Sequence, residues 1–162
     1  MTAVLRPIHD DDVPEVLALN EEHVELLSPM DEPRLHQLMS WSARADVIEC
    51  DGEVAGFVLV FDPGTGYDSP NYRWFTDRYG AAFRYLDRVV VADRYRRRGL
   101  ATAAYDAIEA GAQERGRLVL EVNVDPPNDG SLAFHRSRGY AEVGRLGPVG
   151  HVVALMTKEL GR

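Results

Sequence analysis

The stretch VVVADRYRRRGLATAAYDAIEAG, from Val89 to Gly111, joins an apolar strand, a short turn, an arginine run holding one glycine, and an amphipathic helix. In physical terms this is an anion cradle. A helix N-terminus carries unpaired backbone N–H groups and about half a positive charge, and Gly99 removes the side chain that would keep a phosphate from the backbone. Arginines add forked donors. Two other phosphate loops do not fit, because neither Gly-x-x-x-x-Gly-Lys-Ser/Thr nor Gly-x-Gly-x-x-Gly occurs, so nothing points to nucleoside triphosphates or NAD. The five histidines are scattered without metal-ligand spacing, and no metal site is expected. No Gly-x-Ser-x-Gly elbow marks a serine hydrolase. Cys50 ends an apolar run and reads as a small buried hydrophobe rather than a nucleophile.

The chain of 162 residues is 45% hydrophobic and 27% charged, which is the balance of an ordinary globular protein. A single domain spanning residues 1–162 is expected, large enough to bury about two thirds of its unfolded surface without disulfides. One cysteine allows no internal disulfide, which fits a reducing compartment. No apolar run approaches the roughly 20 residues of a membrane span, and the start, MTAVLRPIHDDD, lacks a basic segment followed by an apolar signal stretch. A cytoplasmic location and no membrane partner are therefore expected. The net charge is −8, and it becomes −12 once Arg94, Arg96, Arg97 and Arg98 are set aside. So acidic a molecule repels nucleic acid as a whole while keeping one local anion site.

The elements that must position this cradle follow from pattern. Thr2 to Ile8 reads as a strand; Asp10 to Asp12 with Pro14 open a helix to about Leu27; Asp31 caps a second helix that ends near Arg44. Ala45 to Cys50 and Glu53 to Phe61 form a hairpin about Asp51-Gly52, a dipeptide suited to positive φ angles. Asp62 to Asn71 reads as an irregular loop, followed by a helical turn over Tyr72 to Tyr79 and a strand over Phe83 to Val91. Gly99 to Arg115 is a helix with Leu100, Ala103, Ala104, Ala107 and Ile108 on its apolar face and Gly116 beyond its end. A strand over Arg117 to Val124, a short helix over Gly130 to Arg138, and strands over Tyr140 to Gly144 and His151 to Lys158 complete an α/β chain.

These residues resemble the GNAT acyltransferases, whose signature Arg/Gln-x-x-Gly-x-Gly/Ala follows a strand and opens a helix. Arg96, Gly99 and Ala101 match it in order. A second family pattern, Asn-x-x-Ser-x-x-Phe-Tyr-x-x-x-Gly-Phe, is met by Asn128, Ser131, Phe134, Gly139 and Tyr140. It starts 27 residues after Ala101. The segments YDSPNYRWF and PPNDGSLAFH resemble a bacterial subgroup of predicted acetyltransferases, which gives no substrate. The resemblance implies a GNAT-like fold, a mixed, mostly antiparallel sheet of six or seven strands flanked by helices, and transfer of an acetyl group from acetyl-CoA to a primary amine. The alternative is a catalytically silent CoA-binding sensor or interaction module. Homodimers are common in the family.

The resemblance further implies that the backbone N–H groups of Arg97, Arg98, Gly99, Leu100, Ala101 and Thr102, with Arg96, hold the pyrophosphate. The strand Val89, Val90 and Val91 would pair with the pantetheine amides, and Asn128, Ser131, Phe134 and His135 complete the cofactor set. Family structures splay the strands on either side of the central helix to admit the pantetheine, which assigns that role to Phe83 to Val91 and Arg117 to Val124. A tyrosine is the usual proposed acid toward the departing thiolate, and this chain has His135 in its place. With an ordinary pKa of about 6.5, histidine donates a proton as imidazolium or hydrogen-bonds the sulfur when neutral; the bland reading is a structural helix histidine. For a base, period-two alternation puts Tyr85 and Asp87 on one strand face. Many relatives carry glutamate where Tyr85 stands, and Asp87 either takes the proton, positions water or pairs with an arginine. Glu121 and Asn123 on the next strand read as more structural. The family places its acceptor wall at the N-terminal helices and at Gly64 to Trp74. There Tyr67, Tyr72 and Trp74 either cover the acceptor or anchor the loop. Glu21, Glu22 and Glu25 read as a solvated helix face rather than an amine trap.

Overall fold

Hydrophobic alternation and turn chemistry produce seven strands and five helices in the computed structural model, which describes residues 3–25 and 27–161. The order is β1 (Ala3–Pro7), α1 (Val13–Glu22), α2 (Glu32–Trp41), β2 (Arg44–Cys50), β3 (Glu53–Phe61), α3 (Pro70–Tyr79), β4 (Arg84–Val91), α4 (Leu100–Ala112), β5 (Arg117–Asp125), α5 (Asp129–Ser137), β6 (Ala141–Leu146) and β7 (Val152–Glu159). The strands form one mixed sheet in the order β1-β2-β3-β4-β5-β7-β6, flanked by helices. β1 with β2, β2 with β3, β5 with β7 and β6 with β7 pair antiparallel. β4 and β5 pair in parallel over two positions only, Arg84 with Leu118 and Tyr85 with Val119.

The backbone divides into two compact units, each built from two separate stretches. Residues 1–61 and 86–111 form the first, and 62–85 with 112–162 form the second. In the first unit Val16, Leu19, Leu35 and Leu38 of α1 and α2, Val47, Phe57 and Leu59 of the hairpin, and Leu100 and Ile108 of α4 are buried. The hairpin turn has the positive φ angles expected of Asp51 and Gly52, 52° and 83°. In the second unit Tyr67, Tyr72, Phe75, Phe83 and Tyr85 form a buried aromatic cluster with ring centroids 5.6 to 6.4 Å apart. Such tilted and edge-on contacts favour the ring quadrupoles beyond simple burial.

Several boundaries differ from the sequence expectation for identifiable reasons. Thr2, where the first strand was expected to start, lies outside the described residues. α1 stops at Glu22 instead of continuing to Leu27, because His23 leaves helical geometry and the Asn20 side chain reaches forward to the Ser28 carbonyl. α2 stops at Trp41 rather than near Arg44: Ser42 is already extended, and the Ala43 N–H bonds to the Val60 carbonyl at 2.8 Å. α3 is a full helix from Pro70, since the Ser69 hydroxyl accepts from the Tyr72 N–H and Pro70 opens the first turn. On α4 the buried face is Leu100, Ala104, Tyr105, Ile108 and Ala112. Ala103 and Ala107 instead border a hollow of about 200 Å³ completed by Ala3, Leu5, Arg44 and Ile48.

Candidate active site

Within the first unit the chain leaves β4 at Val91, makes a tight turn over Asp93 to Tyr95, and enters α4 at Leu100. Val90 is buried while Val89 and Val91 are half-buried. The Val90 carbonyl lies against Gly56 of β3, where a Cβ would stand 2.1 Å from its oxygen. Only glycine permits that approach. Arg96, Arg97, Arg98 and Gly99 are all exposed, with Arg97 and Gly99 at φ 61° and 76°. The Gly99 carbonyl accepts the first helical bond, from the Ala103 N–H at 3.0 Å, so the amides of Leu100, Ala101 and Thr102 have no intrahelical acceptor. A Cβ at Gly99 would meet no protein atom within 4 Å. The cradle is thus open on the side from which an anion approaches, which fits a phosphate group.

The arginines are less available than their number suggests. Arg96 bonds to Asp93 at 3.0 Å and comes within 3.5 Å of the His23 Nε2. Arg94 lies 3.9 Å from Glu53 and stacks on Tyr95, as Arg98 also does. The Tyr95 hydroxyl donates to Glu53, and this bond with burial pushes its pKa up. Glu22, His23 and Asp93 bring three ligand-type atoms within 4.8 Å of one another. The cation already beside them is the Arg96 guanidinium. Cys50 is wholly buried, and desolvation raises its thiol pKa, which makes it inert.

Asp87 sits on β4 with its side chain 8% exposed and accepts from Arg88 Nε at 3.1 Å. The arginine pair is thus one of the interactions it makes. Arg88 is itself buried and bonds to Asn20 and to the Ser28 carbonyl.

In the second unit Tyr85 is wholly buried, and its hydroxyl donates to the Glu121 carboxylate, 2.7 Å from each oxygen. The register explains the meeting. Tyr85 pairs with Val119, and Glu121 lies two residues further along β5 on the same face. Asn128 caps α5 by accepting the Ser131 N–H at 3.3 Å. His135 is 6% exposed, edge-on to Phe134 and Tyr140, with Nδ1 2.7 Å from the Ser131 carbonyl and 3.2 Å from its hydroxyl. A carbonyl only accepts, so the Nδ1 carries the proton and Nε2 is the acceptor nitrogen of the neutral ring. Tyr67 and Tyr72 are buried; the Tyr72 hydroxyl donates to the Asp62 carbonyl; Trp74 packs where a Cβ on Gly144 would be 2.6 Å from its ring. These contacts anchor the loop.

Sequence reasoning read Glu121 as more structural, without its Tyr85 partner, and did not single out Arg88 or Asn20. A glutamate within the apolar run of a strand was a signal for the first. A glycine in mid-strand, Gly56, was a signal for the close approach to β4.

The family model and the fold define the class as an acetyltransferase. The family model described as Acetyltransferase (GNAT) family matches residues 11–140, most of the chain, and the protein belongs to that family. It is a GNAT-type N-acetyltransferase by family. No curated protein sequence matches it. Among solved structures, Ard1 from Thermoplasma volcanium superposes with a TM-score of 0.77 at 18% identity, covering 100% of both chains. The ribosomal-protein-alanine N-acetyltransferase from Brucella melitensis gives 0.72 at 23% identity, over 97% of this chain and 99% of its own. N-acetylglutamate synthase from Neisseria gonorrhoeae, complexed with coenzyme A and N-acetyl-glutamate, gives 0.73 at 17% identity over 100% of this chain and 36% of its own. These likenesses establish the fold. Among the described residues no helix is long and apolar enough to cross a membrane.

Proposed function

We propose that residues 1–162 act as one acetyltransferase domain that moves the acetyl group of acetyl-CoA directly to a primary amine. The observation that carries this reading is the cradle: an open Gly99 at positive φ, at the start of α4, directly after β4. Interleaving of the two units along the chain, with β4 contributing to both, supports a single domain. The amides of Arg97 to Thr102 hold the pyrophosphate, and Val89 to Val91 bond to the pantetheine amides as an added strand would.

Acetyl-CoA supplies a thioester whose carbonyl is open to attack. The amine must lose a proton as its nitrogen bonds to that carbon, and the sulfur leaves as the C–S bond breaks. Glu121 takes the amine proton, directly or through water, with its carboxylate held in place by the Tyr85 hydroxyl. Where many relatives carry a glutamate at the Tyr85 position, the carboxylate comes from the neighbouring strand. Asp87 balances Arg88 instead. His135, oriented by its Nδ1 bond to Ser131, protonates the thiolate from Nε2 when the ring is imidazolium. The acceptor is recognised by α1, α2 and the segment between them, and by the Gly64 to Trp74 loop.

Calorimetric titration with acetyl-CoA and CoA, with ATP and NAD as comparison ligands, followed by thiol release over a panel of primary amines, tests this. One-site binding of both CoA forms and amine-dependent thiol release are expected. Binding without release from any amine would favour the silent CoA-binding module. Binding of neither CoA form would remove the cradle reading.

A further inference from the structure

Arg88 is the buried arginine among the described residues, 5% exposed, and it stands directly before Val89 to Val91. A buried guanidinium is costly unless its charge is balanced and its donors are met, and an apolar side chain of similar volume fills such a place more cheaply. An apolar side chain cannot grip a main-chain carbonyl. Arg88 Nη1 donates to Asn20 Oδ1 at 2.7 Å and to the Ser28 carbonyl at 2.9 Å, and Asn20 Nδ2 donates to that same carbonyl at 3.0 Å. Asn20 is wholly buried, and Asp87 balances the charge through Arg88 Nε. The stretch between α1 and α2 is therefore fastened by a carbonyl that accepts twice, while the Ser28 and Pro29 side chains face outward. Such a fastening holds the path of the backbone whatever side chains it displays.

We propose that Arg88 is a positioning residue for the acceptor. It sets the height of the 23–31 segment against the strand that would carry the pantetheine, so that the amine meets the thioester in register. The proposal rests on the reading of this segment as acceptor wall given under Proposed function. Arg88→Lys is the principal variant, since it keeps the charge beside Asp87 and loses the forked grip; Arg88→Met and Asn20→Ala extend the series.

Two measurements decide the matter. Amide hydrogen exchange of the CoA-free protein needs no acceptor, and in Arg88→Lys it is expected to accelerate by about 10-fold within residues 23–31, with β2 and β3 unchanged, as befits loss of charge-assisted bonds. Steady-state thiol release, with a panel of tetrapeptides carrying free N-terminal amines and small primary amines as the probes, is expected to show KM for the amine raised about 10-fold. The KM for acetyl-CoA and kcat should stay within about 2-fold. Unchanged exchange at 23–31 overturns the proposal, as does faster exchange spread evenly over the unit, or local loosening with the amine KM unchanged. If the wild-type enzyme released thiol with no amine, the transfer reading would fail, and the exchange measurement would still decide whether Arg88 fastens the segment.

Discussion

Replacing Gly56 by alanine places a methyl group 2.1 Å from the Val90 carbonyl oxygen and 3.1 Å from both the Val90 carbonyl carbon and Ile48 Cδ1. Ile48 can yield by rotating, but the carbonyl belongs to the backbone of β4, which must retreat by roughly 1 Å to restore van der Waals contact. Overpacking of this kind costs about 1–3 kcal/mol, which for a chain of this size lowers Tm by about 2–12 °C. A shift of that size also carries the Val89 to Val91 amides and carbonyls out of the 2.7–3.2 Å range of good hydrogen bonds. Losing two bonds worth about 0.5–1.5 kcal/mol each weakens CoA about 5- to 150-fold. Differential scanning fluorimetry and calorimetric titration of Gly56→Ala with CoA read the two effects separately. A lowered Tm with wild-type CoA affinity would show that β4 is not the pantetheine strand, and an unchanged Tm would refute the close approach itself.

Four further outcomes are expected. Gly99→Glu meets no protein atom and still folds, with stability lowered by about 1–2 kcal/mol through left-handed strain, and loses CoA affinity by about 30-fold or more through charge repulsion in the cradle; wild-type binding by calorimetry would count against the cradle. Glu121→Gln lowers kcat about 100-fold or more with CoA affinity retained, and Tyr85→Phe lowers it less; full turnover in Glu121→Gln removes it as base. His135→Phe slows thiol release most at acidic pH, where the wild-type ring is imidazolium and can donate, and the two enzymes converge at alkaline pH; an unchanged pH–rate profile ends its acid role. Arg6 donates to Asp12 at 2.7 and 3.0 Å, and with the His9 N–H it holds the Asp12 carboxyl below its usual range; Arg117 does likewise for the more exposed Glu159. A depressed folded pKa means that the unfolded chain binds more protons, so this stability is complete above the ordinary carboxylate value near 4 and is lost as pH falls through the lower folded values. Urea midpoints of Asp12→Asn should therefore fall less steeply below about pH 5 than those of the wild type, and equal slopes would contradict the assignment.

Local chemistry made much of this protein legible. Asp51-Gly52 specifies its own turn, and Gly99 announces both a positive φ and a helix start, because each effect is contained within a few residues. The spacing of Asn128, Ser131 and His135 places them along about two turns of helix, where the structure knits them to one another. What escaped was tertiary. Arg88 lies 68 residues from Asn20 and 60 from Ser28, and nothing in a strand pattern tells a buried arginine from a solvated one. The same network ends α1 early, so the missed boundary and the missed residue have one cause. Tyr85 and Glu121, 36 residues apart, meet only because a parallel pairing sets Tyr85 beside Val119. The reading of 62–71 as irregular hid the Ser69 cap, which turns the last two of those residues into helix.

The threading of the two units along the chain sets an order of events on the ribosome. All of the first unit has been synthesised once residue 111 is joined, whereas the second then holds only residues 62–85 and waits for 112–162. Those early residues carry Tyr67, Tyr72, Phe75, Phe83 and Tyr85, an aromatic stretch whose partner strand β5 does not yet exist. The nascent chain therefore passes through a stage with the whole of the first unit, Arg96 to Gly99 included, already synthesised and its most aromatic segment without its partner strand. That segment is where a co-translational chaperone would find its binding site, and a pause in translation before Arg117 would prolong the exposure.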